Sequence, residues 1–279
     1  MVKTMANSEP RTILMLGIGS DIGQSLALKY LELGHQVIGT YRKAESVAEL
    51  RNAPGATLIR CDVSNPPSIE SAVNTFKALK RPWDVFISAV GSLEPIGSFF
   101  ELDYHLWHQA LETNALGPLR LLHGIYPYRR QAGPPVSAVF FAGGGTNSPF
   151  PNYSSYCISK IILMKMCELL DSEYSDLNPF ILGPGWVRTK IHEETLRAED
   201  QAGSNLGRTQ EFMDSGNLGT PMSDIYDCIE WCLNQGKPRA GGRNFSIVHD
   251  PWGSPELAEK LAISPDLYKL RRNQEELNP

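Results

Sequence analysis

Short apolar runs alternate with stretches of helical period from the start of the chain. The run "TILMLG" (12–17) has the length and continuity of a strand buried on both faces. The stretch after it, "SDIGQSLALKYLELG", sets Ile22, Leu26, Ala27, Tyr30 and Leu31 along one side of a helix that Gly34 closes. "HQVIGTY" then predicts a strand, "ESVAELRN" a helix and "ATLIRCDV" a strand. "NPPSIESAVNTFKAL" predicts a helix with prolines in its first turn, where a missing N–H does little harm. "WDVFISAVG" predicts a fourth strand, a helical region covers 102–131, and "VSAVFFAGG" predicts a fifth strand. A helix carrying Tyr156 and Lys160 comes next, and "NPFILGPG" and "GGRNFSIV" predict the last two strands.

Strands that are apolar throughout, each followed by a helix, belong to a parallel sheet covered on both faces. Right-handed crossovers make that sheet doubly wound. The pattern therefore predicts one α/β domain over 11–250 with a seven-stranded parallel sheet, preceded by a polar tail at 1–10. Residues 251–279 follow as an extension packed on the domain or on a partner subunit, with Trp252, Leu257, Leu261 and Ile263 as its apolar positions. The polar stretch 188–222 lies just beyond a strand's carboxyl end, the edge that faces the ligand crevice, and is expected to act as a lid.

A net charge of −5 provides no broad attraction for nucleic acid or an anionic membrane. No apolar run reaches the roughly 18 residues of a membrane span, and the polar start "MVKTMANSEP" does not read as a signal peptide, so a cytoplasmic location is expected. Cys61, Cys157, Cys167, Cys228 and Cys232 form no CxxC pair and no His or carboxylate set completes them, so no metal site is expected.

The first strand–helix junction is "GIGSDIG", Gly17 to Gly23. Gly17 permits a sharp turn and Gly23 a close approach of helix to sheet, so that the turn Gly19-Ser20-Asp21-Ile22 presents free N–H groups to a pyrophosphate. At the end of the second strand, "GTYRK" follows Tyr41 with Arg42 and Lys43 and no carboxylate. A guanidinium there suits a ribose 2′-phosphate and favours NADP(H), with NAD(H) remaining open if the two cations only solvate a helix start.

With these residues in place, the chain from about Arg11 to Val248 resembles the short-chain dehydrogenase/reductase family. "GIGSDIG" is similar to that family's TGxxxGxG turn, with Leu16 for the threonine and Asp21 for the middle glycine. "CDV" resembles its adenine-contacting pair and nominates Asp62 and Val63, while "SAVG" stands where NNAG is usual and nominates Ala89, Val90 and Gly91. "TNALGP" nominates Asn114, "YCISK" is the YxxxK signature, and "GPGWVRTK" resembles the PG motif, bringing Pro184, Gly185, Val187 and Thr189 to the cofactor. The resemblance implies strand order 3-2-1-4-5-6-7, a small carbonyl or alcohol substrate, and homodimers or homotetramers packed through 102–131 and 153–175.

Reducing a carbonyl needs hydride at carbon and a proton at oxygen. Tyr156 supplies a proton, and Lys160, one turn along the same helix face, is expected to lower the phenol's pKa. By resemblance, Lys160 also holds the nicotinamide ribose and Asn114 holds a water of the proton path. The family's serine falls 12 to 14 residues before the tyrosine, and here those places are Ala142, Gly143 and Gly144. Three alternatives follow: donation by the Gly143–Gly145 backbone or by Thr146 and Ser148; a hydroxyl from the lid or the substrate; or a protein that binds NADP(H) without efficient turnover and serves as a binding or assembly partner. Phe99, Phe100, Trp107, Phe150, Tyr153 and Trp186 flank the motif ends as pocket wall or core, and Arg188, Lys190, Arg271 and Arg272 are candidates to attract an anion.

Overall fold

The run Thr12–Leu16 is β1, buried at all five positions. It pairs in parallel with β2 (Gln36–Tyr41) on one side and β4 (Val85–Ser88) on the other. β3 (Ala56–Arg60) lies outside β2, and β5 (Val136–Phe141), β6 (Leu177–Gly183) and β7 (Asn244–Ser246) continue the sheet beyond β4. The computed structural model describes residues 9–272 and shows the predicted all-parallel order β3-β2-β1-β4-β5-β6-β7. Residues 1–8 of the expected tail and 273–279 of the expected extension lie outside the described residues.

Alternation along β1 divides the core, because successive side chains leave a strand on opposite faces. Ile13 and Met15 join α1 (Asp21–Glu32) and, later in the chain, α8 (Met222–Gln235) and α10 (Pro255–Ile263). Leu14 and Leu16 face α2 (Pro66–Ala78), α4 (Gly117–Ile125) and α5 (Ser154–Glu173). The remaining helices are α3 (Tyr104–Leu111), α6 (His192–Ala198), α7 (Ser204–Asp214) and the single turn α9 (Lys237–Ala240).

Three local expectations change. "ESVAELRN" is a 3₁₀ segment, Ala44–Leu50, kinked at Val47 and without a side-chain cap. One uncapped turn or two cannot meet the cost of nucleating an α-helix. The region 102–131 is divided: α3 passes through a π turn at Glu112–Leu116 into α4, and a 3₁₀ turn at Tyr126–Tyr128 ends it. The predicted strands also stop early, so Cys61–Val63 and Ala89–Gly91 are loop. Those loops leave the sheet at its carboxyl edge.

The residues after β7 fold back on the chain's own sheet edge. The Tyr268 carbonyl accepts from Asn244 N (2.9 Å), and the Leu270 amide donates to Glu168 of α5 (2.7 Å). Arg243, 3% exposed, fixes this return. Its guanidinium donates to the carbonyls of Leu261 and Ser264 (2.9 Å each), Leu267 (3.0 Å) and Arg239. Arg243→Met should strand four acceptors and lower stability by about 3 kcal/mol, read as a lower urea midpoint with earlier amide exchange in 255–270. An unchanged midpoint would show that the carbonyls find water instead.

Candidate active site

Gly17 leaves β1 at φ +78, and its amide donates to Thr40 Oγ1 (3.3 Å) at the end of β2. Ser20 caps α1 by accepting from Gly23 N (3.1 Å), and its own hydroxyl donates to Gly17 O (2.9 Å). The first-turn amides of Asp21 and Ile22 have no acceptor within the helix, as at any helix start. Ser46 of the 3₁₀ segment packs on Gly19, which fixes the side of the turn toward β2. The Asp21 carboxylate accepts from Lys190 N (2.7 Å) and lies 3.6 Å from Lys190 Nζ.

The other nominated positions come to the same edge. Tyr41 is half-buried, with Arg42 and Lys43 exposed beyond it. Asp62 is fixed by Ser64, whose amide (3.0 Å) and hydroxyl (2.7 Å) donate to its carboxylate, and Val63 is buried beside it. Val90 presses a methyl toward Gly17, and Gly91 faces Lys160 Nζ and Ile191. Beyond β6, Pro184 and Gly185 lead to buried Val187, and Thr189 donates to the Val187 carbonyl (3.3 Å). A turned helix start, exposed cations at the β2 end and an ammonium across the β4 loop form a donor set that fits an adenine dinucleotide.

Tyr156 and Lys160 share the buried face of α5, at 8% and 3% exposed, with Nζ 5.3 Å from the phenol ring centre. Burial pushes the Tyr156 pKa well up, and the charges of Cys157 and Glu194 add to it. Burial pushes Lys160 down to about 8. The direction is opposite to the expected lowering of the tyrosine, because removing the phenol from water disfavours its charged form. Tyr156 is held as the neutral phenol, the form that gives up a proton.

Asn114 lies in the π turn with no exposure. Its Oδ1 accepts from Ser92 N and its Nδ2 donates to Ser92 O, both at 2.8 Å. Each end of the amide thus makes one bond to the loop after β4, with one N–H and one lone pair left over. Gly143 lies in close approach to the tyrosine: a Cβ there would sit 2.5 Å from Tyr156 Cζ and overlap its hydroxyl oxygen. Thr146 donates to the Gly143 carbonyl (3.2 Å), which closes the loop, and Ser148 is exposed.

Segment 188–222 is more structured than its polar sequence suggests. Its ends meet where Thr220 N donates to Trp186 O (2.7 Å) and Arg188 N to Leu218 O (3.1 Å). Trp186 stacks on His192 with ring centres 5.1 Å apart, beside Phe212. From α6, Thr195 accepts from the Tyr153 hydroxyl (2.9 Å), and Glu194 accepts from Leu93 N (2.5 Å) and Ser92 Oγ (3.1 Å). Sequence reasoning missed Glu194, Ser92 and Ser46, because contacts between segments distant in the chain, about a hundred residues apart for Glu194 and Ser92, leave no mark in local pattern. The nominated cations do not converge: Arg188 donates to Met213 O, the Lys190 ammonium lies 3.6 Å from Asp21, Arg271 donates to Glu168 and Asp266, and Arg272 is exposed beside it. Phe99, Phe100 and Trp107 form an edge-on group with Phe100 almost wholly exposed, whereas Phe150 stacks on Tyr153. Among the described residues, no set of three His, Cys, Asp or Glu side chains is placed to hold a metal, and no helix is long and apolar enough to cross a membrane.

A family model described as enoyl-(acyl carrier protein) reductase matches residues 17–219. An uncharacterized oxidoreductase of Schizosaccharomyces pombe is 25% identical over 86% of this chain and 97% of its own length. An NADPH-dependent pterin aldehyde reductase of Arabidopsis thaliana is 24% identical over 65% of this chain and 76% of its own. Among solved structures, a short-chain dehydrogenase/reductase of Saccharomyces cerevisiae superimposes with TM-score 0.74 at 19% identity, covering 89% of this chain and 98% of that one. A short-chain dehydrogenase of Shigella flexneri complexed with NADP superimposes with TM-score 0.69 at 19% identity, covering 85% and 96%. The order of the sheet agrees with these matches, and the chain belongs to the short-chain dehydrogenase/reductase family of NAD(P)-dependent enzymes acting on carbonyl and alcohol groups.

Proposed function

We propose that the protein reduces a carbonyl to a secondary alcohol with NADPH, Tyr156 giving the proton, or runs the reverse reaction. The observation that carries this reading is the neutral phenol of Tyr156 seated against Gly143, with Lys160 beside it, at the edge where the glycine turn opens. When bound, the nicotinamide supplies hydride to the carbonyl carbon. Tyr156 donates its hydroxyl hydrogen to the carbonyl oxygen, so that one group both polarises and protonates it. Lys160 is assigned the nicotinamide ribose and stabilises the phenolate left behind. Asn114 holds the Ser92 loop in place beside them.

Arg42 and Lys43 support NADP(H) over NAD(H), since both are exposed at the β2 end with no carboxylate next to them in sequence. The NADPH named for the plant relative and the NADP in the Shigella structure favour the same choice. Segment 188–222 serves as the lid. Exposed Tyr104 and Leu106 of α3 and Ile158 of α5 support packing as a homodimer or homotetramer, and five free cysteines support a reducing compartment. A second reading, cofactor binding without efficient turnover, is favoured by Gly143 itself, because loss of one donor from such a set slows turnover by roughly a hundredfold to a thousandfold.

Tyr156→Phe should lower kcat by about a thousandfold while NADPH affinity by calorimetry stays within about twofold; equal loss of affinity would make the tyrosine a binding residue only. Gly143→Ser should reduce activity, because the new side chain displaces the phenol. A rise in activity would mean that the serine's place is free. The Lys160 ammonium is present below pH about 8 and lost above it, so kcat/KM should fall on an alkaline limb near that value. A limb displaced to the ordinary lysine range would show that the site is wet.

A further inference from the structure

The segment over Tyr156 turns inward groups that its polar sequence conceals. Ile191, Ala198, Ala202 and Leu206 close on Leu93 and Ile96 of the β4 loop, and this apolar cluster packs around Tyr153 and Tyr156. One charged side chain of the segment is turned the same way. Glu194 is bonded through Oε2 to Leu93 N (2.5 Å) and Ser92 Oγ (3.1 Å), and Leu93 packs in the same cluster as Tyr156. The neighbouring cations are committed elsewhere. Lys190 pairs with Asp21, Arg188 donates to Met213 O, and Arg197 lies 3.4 Å from Glu94 and 3.8 Å from Glu193.

We propose that the substrate of this site is an uncharged, apolar carbonyl compound, and that Glu194 is the specificity-determining residue that excludes carboxylated ones. The proposal rests on the reading of Tyr156 as the proton donor to the substrate carbonyl. A carbonyl can reach that hydroxyl only by displacing or lining the apolar cluster, so the flanks of the substrate meet Leu93, Ile96 and Ile191. Removing apolar surface from water rewards a matching substrate. A carboxylate carried on the same frame would come beside Glu194 in a site of low dielectric, where the cation next to Tyr156, Lys160, is the group assigned to the nicotinamide ribose. Such like-charge placement is strongly unfavourable. Glu194 also fastens the segment to the Ser92 loop that Asn114 holds, so the charge is fixed in position and cannot swing out to solvent at small cost.

The test uses the full chain with NADPH and pairs of aliphatic, alicyclic and aryl ketones, each as the free acid and as its methyl ester. Initial rates give kcat/KM, and calorimetry with NADP⁺ present measures binding of the ketones themselves without turnover, since neither partner then carries a hydride to give. Esters should be favoured over acids by at least about tenfold in both readouts. Glu194→Gln keeps an oxygen that accepts from Leu93 and Ser92 and removes the charge. It should narrow the gap to about threefold or less by improving the acids. Preference for the acids, or an unchanged gap in Glu194→Gln, would overturn the assignment and leave the proposed reduction standing. Failure to take up NADPH or to reduce any ketone would overturn both.

Discussion

The contact between the phenol of Tyr156 and the backbone of Gly143 constrains the whole site. Only a residue without Cβ permits the ring to settle there, and that settling removes the hydroxyl from water. Once buried, the phenol keeps its proton, and the ammonium one helical turn away is pressed toward its neutral form. Glycine just past the end of β5 therefore gives the phenol the space it occupies.

The surrounding structure holds the contact from several sides. α5 positions Tyr156 and Lys160 along one buried face, and the π turn before α4 aims Asn114 at Ser92. Ser92 in turn receives Glu194 from the segment beyond β6, so loops from two strand ends and one helix are joined through a short run of hydrogen bonds. On the other side, Asp21 at the start of α1 takes the Lys190 amide. A carboxylate in the first turn suits the helix dipole. It also ties the segment to the glycine turn after β1.

Much of this was legible in the chain. The apolar runs gave all seven strands and their parallel sense, because a strand buried on both faces has few other signatures, while their order followed from the family resemblance. The glycine turn and the spacing of Tyr156 and Lys160 marked one edge of the sheet as the site. Other features were hidden for physical reasons. The break in 102–131 depends on Asn114 reaching Ser92, and the role of Glu194 on contacts formed only after folding. The sign of the Tyr156 shift also escaped sequence reasoning, since charge spacing on a helix says nothing about how dry the pair becomes. "ESVAELRN" failed as a helix because its length, without a cap, could not sustain one.

The claim at the centre is that Tyr156 is a buried, proton-holding phenol. An ultraviolet difference titration of the free protein against Tyr156→Phe isolates this one hydroxyl among the chain's ten tyrosines. The account predicts that no tyrosinate from Tyr156 forms below pH about 10. A phenolate ionising near neutral pH would contradict it.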